Sequence, residues 1–246
     1  MKVIITGAKG KMGGLVAQAV TDAGHEIYAL CDGFFDLPID GNKFKNIADV
    51  PFGADVIIDF SFHTAVPAIC EYAVKSNTPA VIATTGLTEE ELNCVKDASK
   101  SVAVFRSGNY SLGIATLVNV VKKVVATFED ADIEIIETHH NRKADAPSGT
   151  AEMLFDAVKE ARPSVTRVDG RSGMCKRTKD EVGINSIRMG NIVGVHEVKI
   201  CTENECITLK HEAFDRAMFA RGAVKASEFL VNKSPALYDM NDLLQD

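Results

Sequence analysis

Between residues 2 and 105 the sequence alternates short, almost continuously apolar runs with segments of helical period, and few folds accommodate that alternation. The runs fall at 2–6, 26–31, 55–60, 80–84 and 102–105, and the helical segments at about 10–23, 64–76 and 89–99. Thr88 followed by Glu91 announces the last helix as a capping box. Strands such as VIIT, VIIDF and AVIAT have no polar face, so helices must cover both sides of the sheet they form. The expected fold class is therefore α/β, with a doubly wound parallel sheet.

After residue 110 the pattern changes. A long apolar helix is expected over 111–128, then a strand in DIEIIETHH, a polar loop and a helix over about 148–162. Strands at 183–189, 192–202 and 205–212 then follow without helices between them, which predicts a second, α+β domain with an open, mixed or mostly antiparallel sheet. From residue 216 the chain returns to helix in FARGAVKASEFL and ends in a polar tail.

Composition excludes other classes. Across 246 residues, 46% hydrophobic and 25% charged content is that of a soluble globular protein and not of a disordered or membrane chain. A net charge of −7 gives no general attraction to nucleic acid or anionic lipid. The apolar stretch at the amino terminus is too short for a secretory signal, so a cytoplasmic location is expected. The six cysteines form no CxxC and are expected to be reduced thiols. Cys201 and Cys206, which flank Thr-Glu-Asn-Glu, are the one pair placed to face each other across a hairpin, but a disulfide is not expected there.

Two stretches carry chemistry. GAKGKMG, with Gly7, Gly10 and Gly13, joins the first strand to the first helix, where bare backbone lets a pyrophosphate approach a helix amino terminus and Lys9 and Lys11 add cationic donors. Asp32, nineteen residues past Gly13 at the end of the second strand, suits the ribose hydroxyls of a dinucleotide. Together they predict a Rossmann-like dinucleotide-binding domain. The loops ATTG (83–86) and SGNYS (107–111) follow strands at the same ligand-binding edge, although turn chemistry alone also accounts for them. The second stretch, ETHHNRKADAPSGTA, ends a strand with His139 and His140, places Lys143 in a loop, and opens a helix at PSGT with Ser148 as its cap and Gly149 and Thr150 in its first turn. Such parts suit a small anionic substrate that needs a proton donor. Adjacent histidines on a strand face opposite ways and no third ligand stands at familiar spacing, so no metal is expected.

These strings, with IDFS, GNYSLG, IRMGNIVGVH, HEAFDRAMFARGA and LYDM, resemble the 4-hydroxy-tetrahydrodipicolinate (dihydrodipicolinate) reductase family over the whole chain. The resemblance implies an NAD(P)H-dependent oxidoreductase of lysine (diaminopimelate) biosynthesis that acts on a small dicarboxylate, usually as a homotetramer built through the open sheet. It implies a dinucleotide-binding domain of residues 1–110 completed by 216–246, and a substrate-binding and oligomerisation domain of residues 111–215. By the family pattern, Gly7, Ala8, Lys9, Gly10, Lys11 and Met12 form the nucleotide loop and Asp32 is the ribose acid. Ala83, Thr84 and Thr85, with Ser107, Gly108, Asn109 and Tyr110, complete the cofactor contacts. His139 falls on the proton donor, Lys143 on a second donor, and His140, Gly149 and Thr150 on substrate contacts. Three positions depart from the family: Ala83 where Gly is common, Val195 where Glu is common, and Gly33 where many relatives place an Arg for a 2′-phosphate. The last predicts NADH to be at least as good as NADPH. The rival readings are another two-domain NAD(P)-dependent dehydrogenase and a non-catalytic dinucleotide-binding regulatory protein; the first needs a catalytic thiol or another substrate motif, and the second has no use for proton donors.

Overall fold

The computed structural model describes residues 1–36 and 41–245. In chain order its elements are β1 (Lys2–Thr6), α1 (Lys11–Asp22), β2 (Glu26–Cys31), β3 (Lys43–Phe44), β4 (Val56–Asp59), α2 (Val66–Ser76), β5 (Ala80–Ile82), α3 (Glu89–Ala98), β6 (Ala103–Arg106), α4 (Leu112–Thr127), β7 (Asp132–His139), α5 (Gly149–Ala161), β8 (Thr166–Asp169), β9 (Glu181–Arg188), β10 (Gly194–Cys201), β11 (Cys206–Ala213), α6 (Ala217–Leu230), β12 (Ala236–Tyr238) and α7 (Met240–Gln245). They form two compact units, Met1–Ser111 with Arg216–Asp246, and Leu112–Asp215.

The first unit is built on a seven-stranded sheet of order β12-β6-β5-β4-β1-β2-β3, every pairing parallel. Parallel strands put all their carboxyl ends on one edge, and the order reverses between β1 and β4, the point at which open α/β sheets bind ligands. Alternation along the strands sends side chains to both faces. Ile4, Ile57, Ile82 and Val104 pack on Ile69, Ala73 and Val95 of α2 and α3. Ile5, Ile58 and Phe105 are as fully buried on the other side, where α1 and α6 lie. The α3 capping box expected at Thr88 and Glu91 forms. Helix α6 approaches closely because its inward residues are small, among them Ala220, Ala223 and Ala226, and Gly222 rests on the backbone carbonyl of Tyr110 where a Cβ would collide.

The second unit has a five-stranded sheet of order β11-β10-β7-β9-β8, covered on one face by α4 and α5. Ile133, Ile135, Val198 and Ile200 pack there on Leu117, Val121, Leu154 and Val158. The sheet is mixed rather than mostly antiparallel: β10 runs antiparallel to β7 and β11, whereas β9 is parallel to both β7 and β8. Helix α5 is a crossover that carries the chain back to the starting end of β7, which makes the next strands parallel to it.

Other expectations are corrected. β3, β8, β12 and α7 form where the sequence pattern shows only loop or polar tail. Cys201 and Cys206 are joined in a disulfide, not reduced, because they are direct partners across the β10–β11 ladder with Cα atoms 4.0 Å apart. Cys31 and Cys70 are free and buried.

Candidate active site

At the switch point of the first unit, a cleft of about 1150 Å³ is lined by Gly7, Lys9, Gly10, Asp32, Phe34 and Phe62 among others. The glycines shape it. Gly7 takes φ +73°, and a Cβ on it would strike the backbone of Phe60; a Cβ on Gly13 would lie 2.6 Å from the Ala8 Cα. Gly10 caps α1 without a side chain to accept from the first-turn amides, and no acidic residue stands in that turn. Such a backbone cradle at the positive end of a helix could hold a phosphate. Asp32, just past β2, accepts at 2.9 Å from the amides of both Lys9 and Phe34, which fixes its carboxylate at the rim. Lys9 donates through Nζ to the Phe34 carbonyl (2.7 Å) and to Asp36 (3.1 Å).

The remaining residues expected to meet a cofactor stand at the ends of β5 and β6 on the same edge. Ala83 N donates to the Asp59 carbonyl, and Thr84 Oγ1 donates to the Ser61 carbonyl at 3.1 Å, so both are structural anchors of the loop that includes Thr85. Ser107 Oγ donates to the Asn109 carbonyl at 2.8 Å. The Tyr110 side chain is buried, and its hydroxyl donates to the Ile82 carbonyl at 2.9 Å. Asp59, unassigned by the sequence reading, is fully buried beside the cleft and accepts from Thr6 Oγ1 at 2.6 Å.

In the second unit, period two places Ile133, Ile135, Glu137 and His139 of β7 in one row, three of them fully buried. Glu137 lies opposite His196 of β10, and His139 opposite Arg188 of β9. Nδ1 of His139 sits 2.5 Å from Glu137 Oε2, and the His196 ring meets His139 edge-on with centroids 5.2 Å apart. His196 Nε2 pairs with Ser148 Oγ at 3.0 Å, and that hydroxyl caps α5 by accepting from the Ala151 amide, as PSGT predicts. Burial and the neighbouring His139 hold His196 down at about 3, so it is neutral. Burial alone would raise the Glu137 carboxyl, but hydrogen bonds from His139 and Arg188 outweigh it and hold it at about 2.

The loop after β7 is pinned by backbone bonds from His140 to Ile192 (2.8 Å) and from Asn141 to Gly190 (3.2 Å). Lys143 donates to both carboxylate oxygens of Asp145 at 2.8 Å, and this bond keeps the Asp145 carboxyl below its usual range. Gly149 and Thr150 open α5. His139, Lys143 and the α5 amino terminus thus belong to one hydrogen-bonded assembly whose hub, Glu137 with Arg188, went unassigned in the sequence reading. Its signal was present: a charge in the row that otherwise reads isoleucine. The catalytic thiol that the rival two-domain dehydrogenase reading requires finds no support at Cys31 or Cys70, which burial pushes up to about 12.

Known proteins match this plan from end to end. Residues 1–110 match the model of the dihydrodipicolinate reductase amino-terminal domain, and 113–244 that of its carboxy-terminal domain. The chain is 44% identical to the 4-hydroxy-tetrahydrodipicolinate reductase of Caldanaerobacter subterraneus subsp. tengcongensis, over 100% of this chain and 98% of that one. It is 43% identical to that of Clostridium novyi, over 99% and 98%. A solved dipicolinate-bound dihydrodipicolinate reductase from Paenisporosarcina sp. TG-14 superposes with a TM-score of 0.81 at 25% identity, covering 98% of both chains. With both halves matched and the identity sustained over its full length, the chain belongs to the dihydrodipicolinate reductase family.

Proposed function

We propose that this protein reduces 4-hydroxy-tetrahydrodipicolinate to tetrahydrodipicolinate with a reduced nicotinamide dinucleotide, in lysine (diaminopimelate) biosynthesis in the cytoplasm. The observation that carries the reading is the hydrogen-bonded assembly that groups His139 and Lys143 with the amino terminus of α5. When bound, the dinucleotide supplies the hydride. Gly7, Ala8, Lys9, Gly10, Lys11 and Met12 hold its pyrophosphate, and Asp32 accepts from its ribose hydroxyls. Ala83, Thr84, Thr85 and the 107–110 loop flank it.

The substrate is a ring with two carboxylates. Lys143, exchanging Asp145 for a substrate carboxylate, and the positive end of α5 at Gly149 and Thr150 neutralise them, with His140 alongside. Loss of the 4-hydroxyl as water leaves a conjugated ring, which accepts the hydride and then takes up a proton that His139 delivers, with Lys143 the second donor. We assign the first unit to the cofactor and the second to substrate and to homo-oligomer formation through its uncovered sheet face, the family's tetramer.

The test is consumption of NADH by the purified protein with freshly generated hydroxy-tetrahydrodipicolinate; absence of turnover ends the reading. NADH is at least as good a cofactor as NADPH, because Gly33 supplies no guanidinium beside Asp32 and Lys9 is held by Asp36. The ratio of kcat/KM for the two cofactors checks this, and a preference for NADPH of about tenfold, or 1.4 kcal/mol, would overturn it.

A further inference from the structure

A carboxylate in a core-facing row is costly unless every lone pair is matched. Glu137 is fully buried, and both its oxygens are occupied twice. Oε1 accepts from Arg188 NH2 at 2.7 Å and from the Ser148 amide at 3.2 Å; Oε2 accepts from Arg188 NH1 at 2.9 Å and from His139 Nδ1 at 2.5 Å. The bidentate guanidinium matches only one lone pair on each oxygen. Here the carboxylate spends an oxygen on the imidazole as well, and Arg188 reaches on to the Asp145 carbonyl at 2.7 Å, in the loop that carries Lys143.

We propose that Glu137, held by Arg188, is a positioning residue for the reaction: it fixes His139 in the tautomer protonated at Nδ1 and balances the charge of the ring once Nε2 is protonated too. The inference rests on His139 being the proton donor. An ionised carboxylate only accepts hydrogen bonds, so the shared hydrogen belongs to Nδ1 and the proton for substrate travels on Nε2. Space for that nitrogen is provided by Gly194, where a Cβ would come within 3.0 Å of it. Among the described residues, the charged or titratable groups around His139 include Glu137 on β7, Arg188 on β9, His196 on β10, the adjacent His140, Lys143 and Asp145 in the following loop, and His211 on β11 beyond His196. Of these Glu137 alone is an anion hydrogen-bonded to the ring.

The pH dependence of kcat for the wild-type enzyme, Glu137→Gln, Glu137→Asp, His139→Gln and the Glu137→Gln/His139→Gln double variant tests this. Glu137→Gln should lower kcat about tenfold or more, move the alkaline limb of the profile about one unit toward acid, and leave the KM for NADH unchanged. Glu137→Asp, which keeps the charge, should restore part of the limb, and the double variant should be no slower than His139→Gln alone. An unmoved limb in Glu137→Gln, with His139→Gln still crippled, overturns the positioning role and spares the proton-donor reading. Full activity in His139→Gln instead removes that reading and the inference with it. Should Glu137→Gln not fold, nitrogen-15 correlation spectra of the wild-type His139 ring decide: Nδ1 protonated supports the assignment, and a neutral ring protonated only at Nε2 overturns it.

Discussion

Single residues set the chemistry, and here each is defined by what it touches. His139 is largely buried at the end of β7 with one nitrogen committed to Glu137, so replacing it by glutamine removes the proposed proton donor while the fold keeps its strand end. His139→Gln should therefore lower kcat by a factor on the order of 10² or more, with the dissociation constant for NADH changed less than about twofold; stopped-flow rates and a fluorescence titration of NADH measure the two separately. Gly13 fails in the opposite way. A Cβ there would run into the backbone of Gly7 and Ala8, neither of which can yield without reshaping the phosphate cradle. Gly13→Ala should raise the NADH dissociation constant by about tenfold or more and leave binding of pyridine dicarboxylate to the second unit intact, as calorimetry with each ligand would show.

Among the elements, legibility in the sequence tracks burial. β1 and β2 form over the residues expected of them, because their own apolar runs announce them. β8 and β12 do not announce themselves: TRVD is exposed at the sheet edge and ALY is three residues long, so each owes its conformation to the strand beside it. The same reason hid part of the site. His139 and Lys143 stand close together in sequence and are visible as a string, whereas Arg188 and His196 arrive from other strands and join Glu137 only through sheet register. Helix α6 offers a test at this scale. Because Gly222 lies directly on the Tyr110 carbonyl, Gly222→Ala forces the helix outward, and thermal melts should show a loss of about 1–3 kcal/mol, whereas Lys225→Ala on the solvent side should change little.

For the whole molecule, buried titratable groups make acid the weak point. Glu137 is held at about 2 when folded against an ordinary 4.5, so the stability it contributes is present above 4.5 and disappears as the pH falls toward 2. His196 stays neutral down to about 3, whereas an unfolded chain protonates it below 6.5; its share is lost as the pH falls from 6.5 toward 3. The melting temperature should therefore drop steadily on acidification, and His196→Gln should flatten the upper part of that descent; melts followed by circular dichroism from about pH 7 to pH 3 read both. The division of the first unit between the two ends of the chain carries a different kind of consequence. A ribosome that has released residues 1–111 has made six of the seven strands of the first sheet, yet neither β12 nor α6, which shares with α1 the face of Ile5, Ile58 and Phe105, exists until the second unit has been synthesised in full. The nascent polypeptide must shelter that oily surface for as long as translation of the intervening hundred or so residues lasts, so this half of the protein, although begun first, is finished last.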